Sequence, residues 1–213
     1  MFSKHLLTNT QDLKISLMQS YIVIENALEE DFANRLRDEL LSSNQWNNRD
    51  ITIGDFVYKR EEIRLESPTA PLAIQQLYKY LCSEQTRQWA SEISDKKIDN
   101  FIGAATIFPK DGHISEHNDY YTYEEAGQPR QSRTLTFNYY LSKEWNPANG
   151  GNFVWKSPRA TINNTFNTLV LFKPGPLTHH WVEPVTANTD EKRLSITGWY
   201  TSNIDKNKFK LNL

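Results

Sequence analysis

The spacing of apolar residues predicts two helical segments in the first half of the chain. In residues 29–43, Phe32, Leu36 and Leu40 recur at every fourth position, which is the spacing of an amphipathic helix. A second helix is predicted to begin near Pro71, because proline is well tolerated at a helix start. Its buried stripe is expected to contain Leu72, Ile74, Leu77, Leu81 and Trp89.

From about residue 97 onward, short alternating segments separated by turn residues predict β-strands. The predicted strands are FIGAATIF, RTLTFNYYLS, GGNFVWK, NTLVLFKPG, HHWVEPV and RLSITGWYTS, with an earlier one at YIVIENAL. Many short strands favour an α+β, mainly β fold: a double-stranded β-helix (jelly roll) with the N-terminal helices packed on one sheet. We expect a single domain, 1–213, in which 1–96 hold the helical support and first strands and 97–203 the jelly-roll core.

Composition and charge exclude some classes of function. A net charge of -2 offers no basic face for nucleic acid. The first residues contain no long apolar run, so neither a signal peptide nor a membrane anchor is expected, and a cytoplasmic location is predicted. Cys82 is the only cysteine, which rules out an intrachain disulfide; it is interpreted as a buried helical thiol. The sequence does not indicate an oligomeric state.

Three residues form a candidate metal site. His117 and Asp119 are two positions apart, so on an extended strand their side chains would share a face. His180, on a later predicted strand, could supply the third ligand. Two histidines and one carboxylate leave metal positions open, as iron(II) oxygenases require. Alternatively, His117 and Asp119 are a surface hydrogen-bonded pair and His180 an ordinary core residue.

Two further strands carry polar faces. Alternation places Arg193, Ser195, Thr197 and Trp199 together on one strand. It places Thr134, Thr136, Asn138 and Tyr140 together on another. Arginine can clamp a carboxylate and serine can add a hydroxyl donor, so a shared polar pocket is one interpretation. Ordinary solvent-facing sides of antiparallel strands are the other.

The order of these motifs resembles the prolyl hydroxylase branch of the iron(II)/2-oxoglutarate oxygenases, including the hypoxia-sensing enzymes. The resemblance runs from about Phe101 to Thr201, through FPKDGH, HND, RTLTFNYYLSKEW, GGNFVW, NTLVLF, HWVEP and RLSITGWY. It implies iron(II), 2-oxoglutarate and dioxygen as cofactor and cosubstrates, with ascorbate as an optional addition.

The resemblance also implies residue roles. His117, Asp119 and His180 would bind iron, with His180 rather than His179 fitting the family pattern. The implied cosubstrate residues are Arg193 and Tyr140 for the distal carboxylate of 2-oxoglutarate, Trp199 for a pocket wall, and Gly150 and Gly151 for a turn. The family tyrosine is replaced by Phe108, so Thr106 or Asn138 is a candidate substitute donor. The segment from Tyr120 to Ser132 is interpreted as a substrate lid or a solvated loop.

Three functions follow from these patterns. The first is hydroxylation of a prolyl residue in a protein or peptide, which the resemblance favours. The second is hydroxylation of a free amino acid or small metabolite. The third is a non-catalytic jelly-roll module that binds a sugar or a protein. The carboxylate of Asp119 favours oxygen transfer over halogenation, while desaturation and ring formation stay open.

Overall fold

A computed structural model describes residues 1–3, 12–13, 21–123, 130–186 and 189–204 of the chain. The first predicted helix is present as α1 (Glu30–Leu41). It buries Phe32, Leu36 and Leu40, and Glu30 lies in its first turn, where the helix dipole favours an acidic side chain. The fourfold spacing in the sequence therefore identified its buried face correctly.

The segment after Pro71 forms two helices, so the prediction of one continuous helix is wrong. They are α2 (Leu72–Leu81) and α3 (Glu84–Ser94), and Ser83 caps α3 by accepting a hydrogen bond from the backbone N–H of Thr86. Leu72 is 64% exposed, contrary to prediction, whereas Trp89 is buried but belongs to α3. Cys82 lies at the end of α2 and is only partly buried.

The described residues form one large, mostly antiparallel sheet that curls into a half-barrel. Its strands are β1 (Tyr21–Glu25), β2 (Asn47–Ile53), β3 (Phe56–Arg64), β4 (Asn100–Phe108), β5 (His113–His117), β6 (Thr122–Tyr123), β7 (Gln131–Tyr140), β8 (Phe153–Trp155), β9 (Ala160–Ile162), β10 (Thr168–Phe172), β11 (His180–Val182) and β12 (Arg193–Asn203). They are arranged in the order β1-β10-β7-β12-β4-β3-β5-β11-β8-β9, with β2 paired to β3 and β6 to β7. This confirms the predicted jelly-roll class.

The two faces of the central strands have different roles. Leu135, Phe137 and Tyr139 of β7 belong to the hydrophobic core that also contains the buried residues of the helices. The opposite face is polar, and β12 aligns it across three strands by pairing with both β4 and β7. Ser195 pairs with Tyr140, and Thr197 with Asn138. The alternation read from the sequence is therefore correct, and the polar face is turned away from the helices.

One hairpin was not predicted from the sequence. β2 pairs along its whole length with the first seven residues of β3, and β3 continues the sheet by pairing with both β4 and β5. Most side chains of β2 are exposed, so its sequence lacks the apolar alternation that marks a half-buried strand. The hairpin extends the polar face beyond β4.

No helix in the described parts of the chain is both long and apolar enough to cross a membrane.

Candidate active site

Three side chains from two neighbouring strands and an adjoining loop converge at one point. His117 ends β5, and His180 begins β11 directly opposite it. Asp119 lies two residues beyond the end of β5, so it is not on the strand itself as predicted. Its Oδ1 lies 3.8 Å from His117 Nε2, and its Oδ2 lies 3.7 Å from His180 Nε2. The three ligand atoms lie within 4.8 Å of one another, a spacing that one metal ion could bridge.

Backbone carbonyls orient both imidazole rings for metal binding. His117 Nδ1 lies 2.8 Å from the carbonyl oxygen of Ser115, and His180 Nδ1 lies 2.9 Å from that of Thr178. A carbonyl oxygen can only accept, so each Nδ1 carries the proton and each Nε2 keeps a free lone pair. Both lone pairs belong to the nitrogens nearest Asp119. This tautomer is the one a metal ion needs.

Asp119 is buried and held as a carboxylate. Thr136 Oγ1 donates to its Oδ2 at 3.0 Å, and Arg133 Nη1 donates to its Oδ1 at 3.2 Å. Burial alone would raise the pKa of Asp119, but the nearby His180, His117 and Arg133 together lower it below the ordinary value. The group therefore remains ionised and able to bind a cation at neutral pH.

Aromatic rings surround His180. Its ring packs 5.0 Å from Phe153, 4.9 Å from Phe172 and 6.1 Å from Trp155, measured between centroids. Burial lowers the pKa of His180 below its ordinary value, against the opposing effect of Asp119. His180 is consequently a neutral imidazole. The neighbouring His179 instead places Nδ1 3.1 Å from Glu116 Oε1, outside the cluster.

Arg193 is fully enclosed beside this cluster. Its Nε donates to the carbonyl oxygen of Gly151 at 2.8 Å, and its Nη1 donates to Ser195 Oγ at 2.8 Å. Its guanidinium lies 4.5 Å from the ring centre of Phe108. Burial lowers the pKa of Arg193 to about 10, so the side chain remains charged at neutral pH.

The two predicted glycines lie where a side chain would clash, at Gly150, or be crowded, at Gly151. Gly150 and Gly151 both have positive φ, at 74° and 67°. A Cβ on Gly150 would lie 2.0 Å from the carbonyl oxygen of Pro184, and one on Gly151 would lie 3.1 Å from Arg193 Cγ. The turn therefore needs glycine and brings its backbone carbonyl against the Arg193 guanidinium.

Tyr140 presents a buried hydroxyl with no acceptor among the described residues. Burial raises its pKa to about 12, while the charge of Arg193 acts in the opposite direction. Asn138, on the same face of β7, also has an unpartnered Oδ1. An unsatisfied buried donor beside a buried guanidinium fits an anionic ligand.

Ser195 and Trp199 occupy different places. The Ser195 hydroxyl lies 2.8 Å from Thr106 Oγ1 and accepts from Arg193, so it supports the guanidinium from behind. Trp199 lines the cavity, and the guanidinium of Arg133 stacks 3.6 Å from its ring. Trp199 thus packs against the arginine that contacts Asp119.

The histidine pair, Asp119 and Arg193 all line one cavity of about 660 Å³. Its lining also includes Phe108, Asn138 and Tyr140, and an apolar side formed by Phe56, Tyr58, Ile114, Phe153 and Val182. A volume in this range accommodates small ligands of drug size. Metal, cosubstrate and a substrate group could therefore share this space.

Comparison with known proteins gives one family match. Residues 103–201 match the model described as the 2OG-Fe(II) oxygenase superfamily. These residues form a 2OG-Fe(II) oxygenase domain. The match spans β4 to β12 and contains all of the residues that converge on the candidate metal site. The family implies iron(II), 2-oxoglutarate and dioxygen.

Solved structures share the fold of this chain. A prolyl-4-hydroxylase from Pseudomonas putida superposes with a TM-score of 0.68 at 19% identity, covering 90% of this chain and 97% of that one. A Trichoplax adhaerens prolyl hydroxylase, in complex with a hypoxia inducible factor peptide, gives 0.66 at 18%, covering 93% of both chains. A viral collagen prolyl hydroxylase from Paramecium Bursaria Chlorella virus-1 gives 0.59 at 16%, covering 86% and 96%. No curated protein sequence matches the chain.

Several contacts within the candidate site were not identified from the sequence. Thr136 and Arg133 contact Asp119, but their positions become clear only when the loop after β5 is placed against β7. A charged group on the hairpin, formed by Arg49, Arg60, Glu62 and Arg64, also lines the cavity. Alternating charges on residues 60, 62 and 64 were the available signal.

The predicted lid is only partly described. Tyr120 and Tyr121 are exposed, and β6 pairs with the start of β7. Tyr121 also lines the cavity. Residues 124–129 of this segment lie outside the described residues.

Proposed function

We propose that this oxygenase uses iron(II), 2-oxoglutarate and dioxygen to hydroxylate a prolyl residue of a protein or peptide. The observation that carries the proposal is the convergence of two imidazole Nε2 atoms and a buried carboxylate within 4.8 Å. Arg193 and Tyr140 face the same cavity. This combination fits a metal with a chelating, dianionic cosubstrate.

In this proposal His117, Asp119 and His180 hold the iron. The carbonyl oxygens of Ser115 and Thr178 keep each imidazole in the required tautomer. Thr136 and Arg133 hold the carboxylate in place. Three protein ligands on one side leave positions for 2-oxoglutarate and dioxygen.

Arg193 and Tyr140 would receive the distal carboxylate of 2-oxoglutarate. A guanidinium and a phenol can both donate to one carboxylate, and such charge-assisted bonds are strong in a buried setting. Gly151 and Ser195 already occupy Arg193 Nε and Nη1, which fixes the orientation of the guanidinium. Asn138 is available beside Tyr140 as a further polar contact.

When bound, iron(II) with 2-oxoglutarate and dioxygen supplies the oxidation that replaces a substrate C–H bond by C–OH. The chain orients the reactants and limits water. Phe153 and Val182 flank the ligands as apolar cavity walls, and Trp199 closes the side towards β7. Productive geometry and exclusion of water are what such a pocket contributes.

Two observations support a prolyl substrate. The structures named above as prolyl hydroxylases share the fold across most of this chain. The cavity also has an apolar wall, including Ile114 and Val182, that suits a pyrrolidine ring. A free amino acid is the second candidate substrate, and Arg49, Arg60 and Arg64 of the cavity lining favour it because they could bind its carboxylate. A non-catalytic binding module has no evident use for a fully oriented metal triad.

The proposal is tested by incubating the iron-loaded protein with 2-oxoglutarate, oxygen and prolyl substrates. Succinate release and one oxygen atom added to proline, formed in equal amounts and absent in Asp119→Asn, are the expected result. Omitting ascorbate tests whether sustained turnover needs it. Succinate without any oxygenated proline, across peptides and free proline, would reject a prolyl substrate and leave the oxygenase assignment intact.

A further inference from the structure

A buried carboxylate on β3 is shared by three arginines of the β2–β3 hairpin. Glu62 Oε1 lies 3.3 Å from Arg49 Nε and 3.3 Å from Arg64 Nε, while Oε2 lies 3.2 Å from Arg60 Nη2. We name these four residues the hairpin arginine cluster. A single carboxylate balances only one guanidinium, so the cluster carries excess positive charge.

Part of this charge is buried. Arg60 is 5% exposed, and its Nε has no hydrogen-bond partner among the described residues. Its guanidinium packs 4.4 Å from the ring centre of Tyr58. A buried charge without full compensation is unfavourable, so it marks a place where an anion would stabilise the protein.

The cluster faces the reaction site. Arg49, Arg60, Glu62 and Arg64 line the same cavity as His117, Asp119 and His180. They belong to β2 and β3, whereas Arg193 and Tyr140 belong to β12 and β7. The cluster is therefore a second cationic region of the cavity, on strands other than those that carry the residues proposed to hold 2-oxoglutarate.

The charge of the whole cavity also favours an anionic ligand. Five arginines and two carboxylates line it. Iron(II) and the 2-oxoglutarate dianion carry equal and opposite charges, so their binding leaves the excess unchanged. This excess would stabilise a further ligand that carries negative charge.

We infer that the substrate carries a carboxylate that the hairpin arginine cluster binds while the reacting carbon lies beside the metal. The inference rests on the proposed function, because it assigns a substrate-binding role to the part of the cavity that iron and 2-oxoglutarate would not fill. The carboxylate belongs either to a free amino acid or to an acidic residue next to the reacting proline. Two arginine side chains can donate to it together, as paired guanidinium groups do with carboxylates.

The test is calorimetric titration of the anaerobic iron(II)–2-oxoglutarate complex with matched pairs of probes. One pair is L-proline and L-prolinamide. The other is a capped peptide with glutamate beside proline and the same peptide with glutamine. The variant is Arg49→Gln/Arg64→Gln, chosen because both side chains are about half exposed and so tolerate replacement. Arg35→Gln/Lys79→Gln, on exposed positions of α1 and α2, removes the same charge elsewhere.

We expect one carboxylate probe to bind at least about tenfold more tightly than its amide, a preference that the hairpin variant loses and the helix variant keeps. A preference within the proline pair would indicate a free amino acid, and a preference within the peptide pair would indicate an acidic peptide. Equal binding of acid and amide, binding of neither, or an unchanged preference in the hairpin variant would overturn the inference. The charge-transfer absorbance of the starting complex shows whether iron(II) and 2-oxoglutarate are bound. If the band is present, failure concerns the substrate carboxylate alone; if it is absent, the proposed function itself fails.

Discussion

Thr136 donates a 3.0 Å hydrogen bond to Oδ2 of Asp119, the same oxygen that lies 3.7 Å from His180 Nε2. The contact joins β7 to the loop after β5 and fixes the carboxylate between the two histidines. It shows that the candidate metal site depends on residues outside the ligand set, as is common where a carboxylate binds a metal.

Replacing Thr136 should weaken metal binding. Thr136→Val keeps the shape of the side chain but removes the hydroxyl, so Asp119 loses one restraint. We expect iron(II) affinity to fall by about tenfold. Anaerobic iron titration measures it. Thr134→Val is the matched control, because Thr134 lies on the same face of β7 as Thr136. Its hydroxyl bonds to Ser202 of β12 and not to Asp119. An equal loss of iron(II) affinity in both variants would show that the substitutions disturb β7 in general and do not act through Asp119.

Two adjacent tyrosines should give opposite results. The Tyr140 hydroxyl has no acceptor among the described residues, so Tyr140→Phe should leave stability nearly unchanged and raise the KM for 2-oxoglutarate several-fold. Tyr139 donates to Asn167 Oδ1 at 2.8 Å in the core. Tyr139→Phe should therefore lower the free energy of unfolding by about 1 kcal/mol and leave that KM unchanged. Denaturant unfolding measures the stability of both variants, and steady-state kinetics measures the KM of both for 2-oxoglutarate. The same change in stability and in KM for both variants would refute the assignment of Tyr140.

The metal-free protein should lose stability in mild acid. Burial lowers the pKa of His180 from 6.5 to about 4 in the folded chain. The unfolded chain then binds a proton at higher pH than the folded one, so the stabilising contribution is complete above the ordinary pKa. It falls as the pH drops towards the lowered value. Asp119, whose pKa is also lowered, acts in the same direction at still lower pH.

Thermal unfolding of the metal-free protein across this pH range measures the effect. We expect the midpoint to fall steadily with pH in the wild type and less steeply in His180→Gln, which has no titrating ring. Parallel curves for the two proteins would show that other groups govern the acid sensitivity.

The polar pocket could be predicted because its residues alternate along single strands. Arg193, Thr197 and Trp199 share one face of β12, and periodicity alone places them together. His117 and His180 could be proposed as partners, but their direct pairing required the antiparallel register of β5 and β11. The choice of His180 over His179 came from the family pattern, not from spacing.

Other features depend on contacts distant in sequence. Nothing in the local sequence indicates that the Ser195 hydroxyl accepts from Arg193. The position of that hydroxyl is set by its contact with Thr106 on β4. The break between α2 and α3 depends on the cap at Ser83, which the apolar spacing does not register. The hairpin of β2 and β3 is mostly polar and exposed on β2, so it was not recognised, and its arginine cluster was missed with it.

The central claim is that His180, with His117 and Asp119, binds iron(II) together with 2-oxoglutarate. The most direct measurement is an anaerobic titration of the purified chain with both, followed by the visible metal-to-ligand charge-transfer absorbance. We predict a band in the wild type and in His179→Ala, whose side chain faces Glu116, and none in folded His180→Ala. A folded, iron-replete wild type without the band, or a band that persists in His180→Ala, would contradict this assignment.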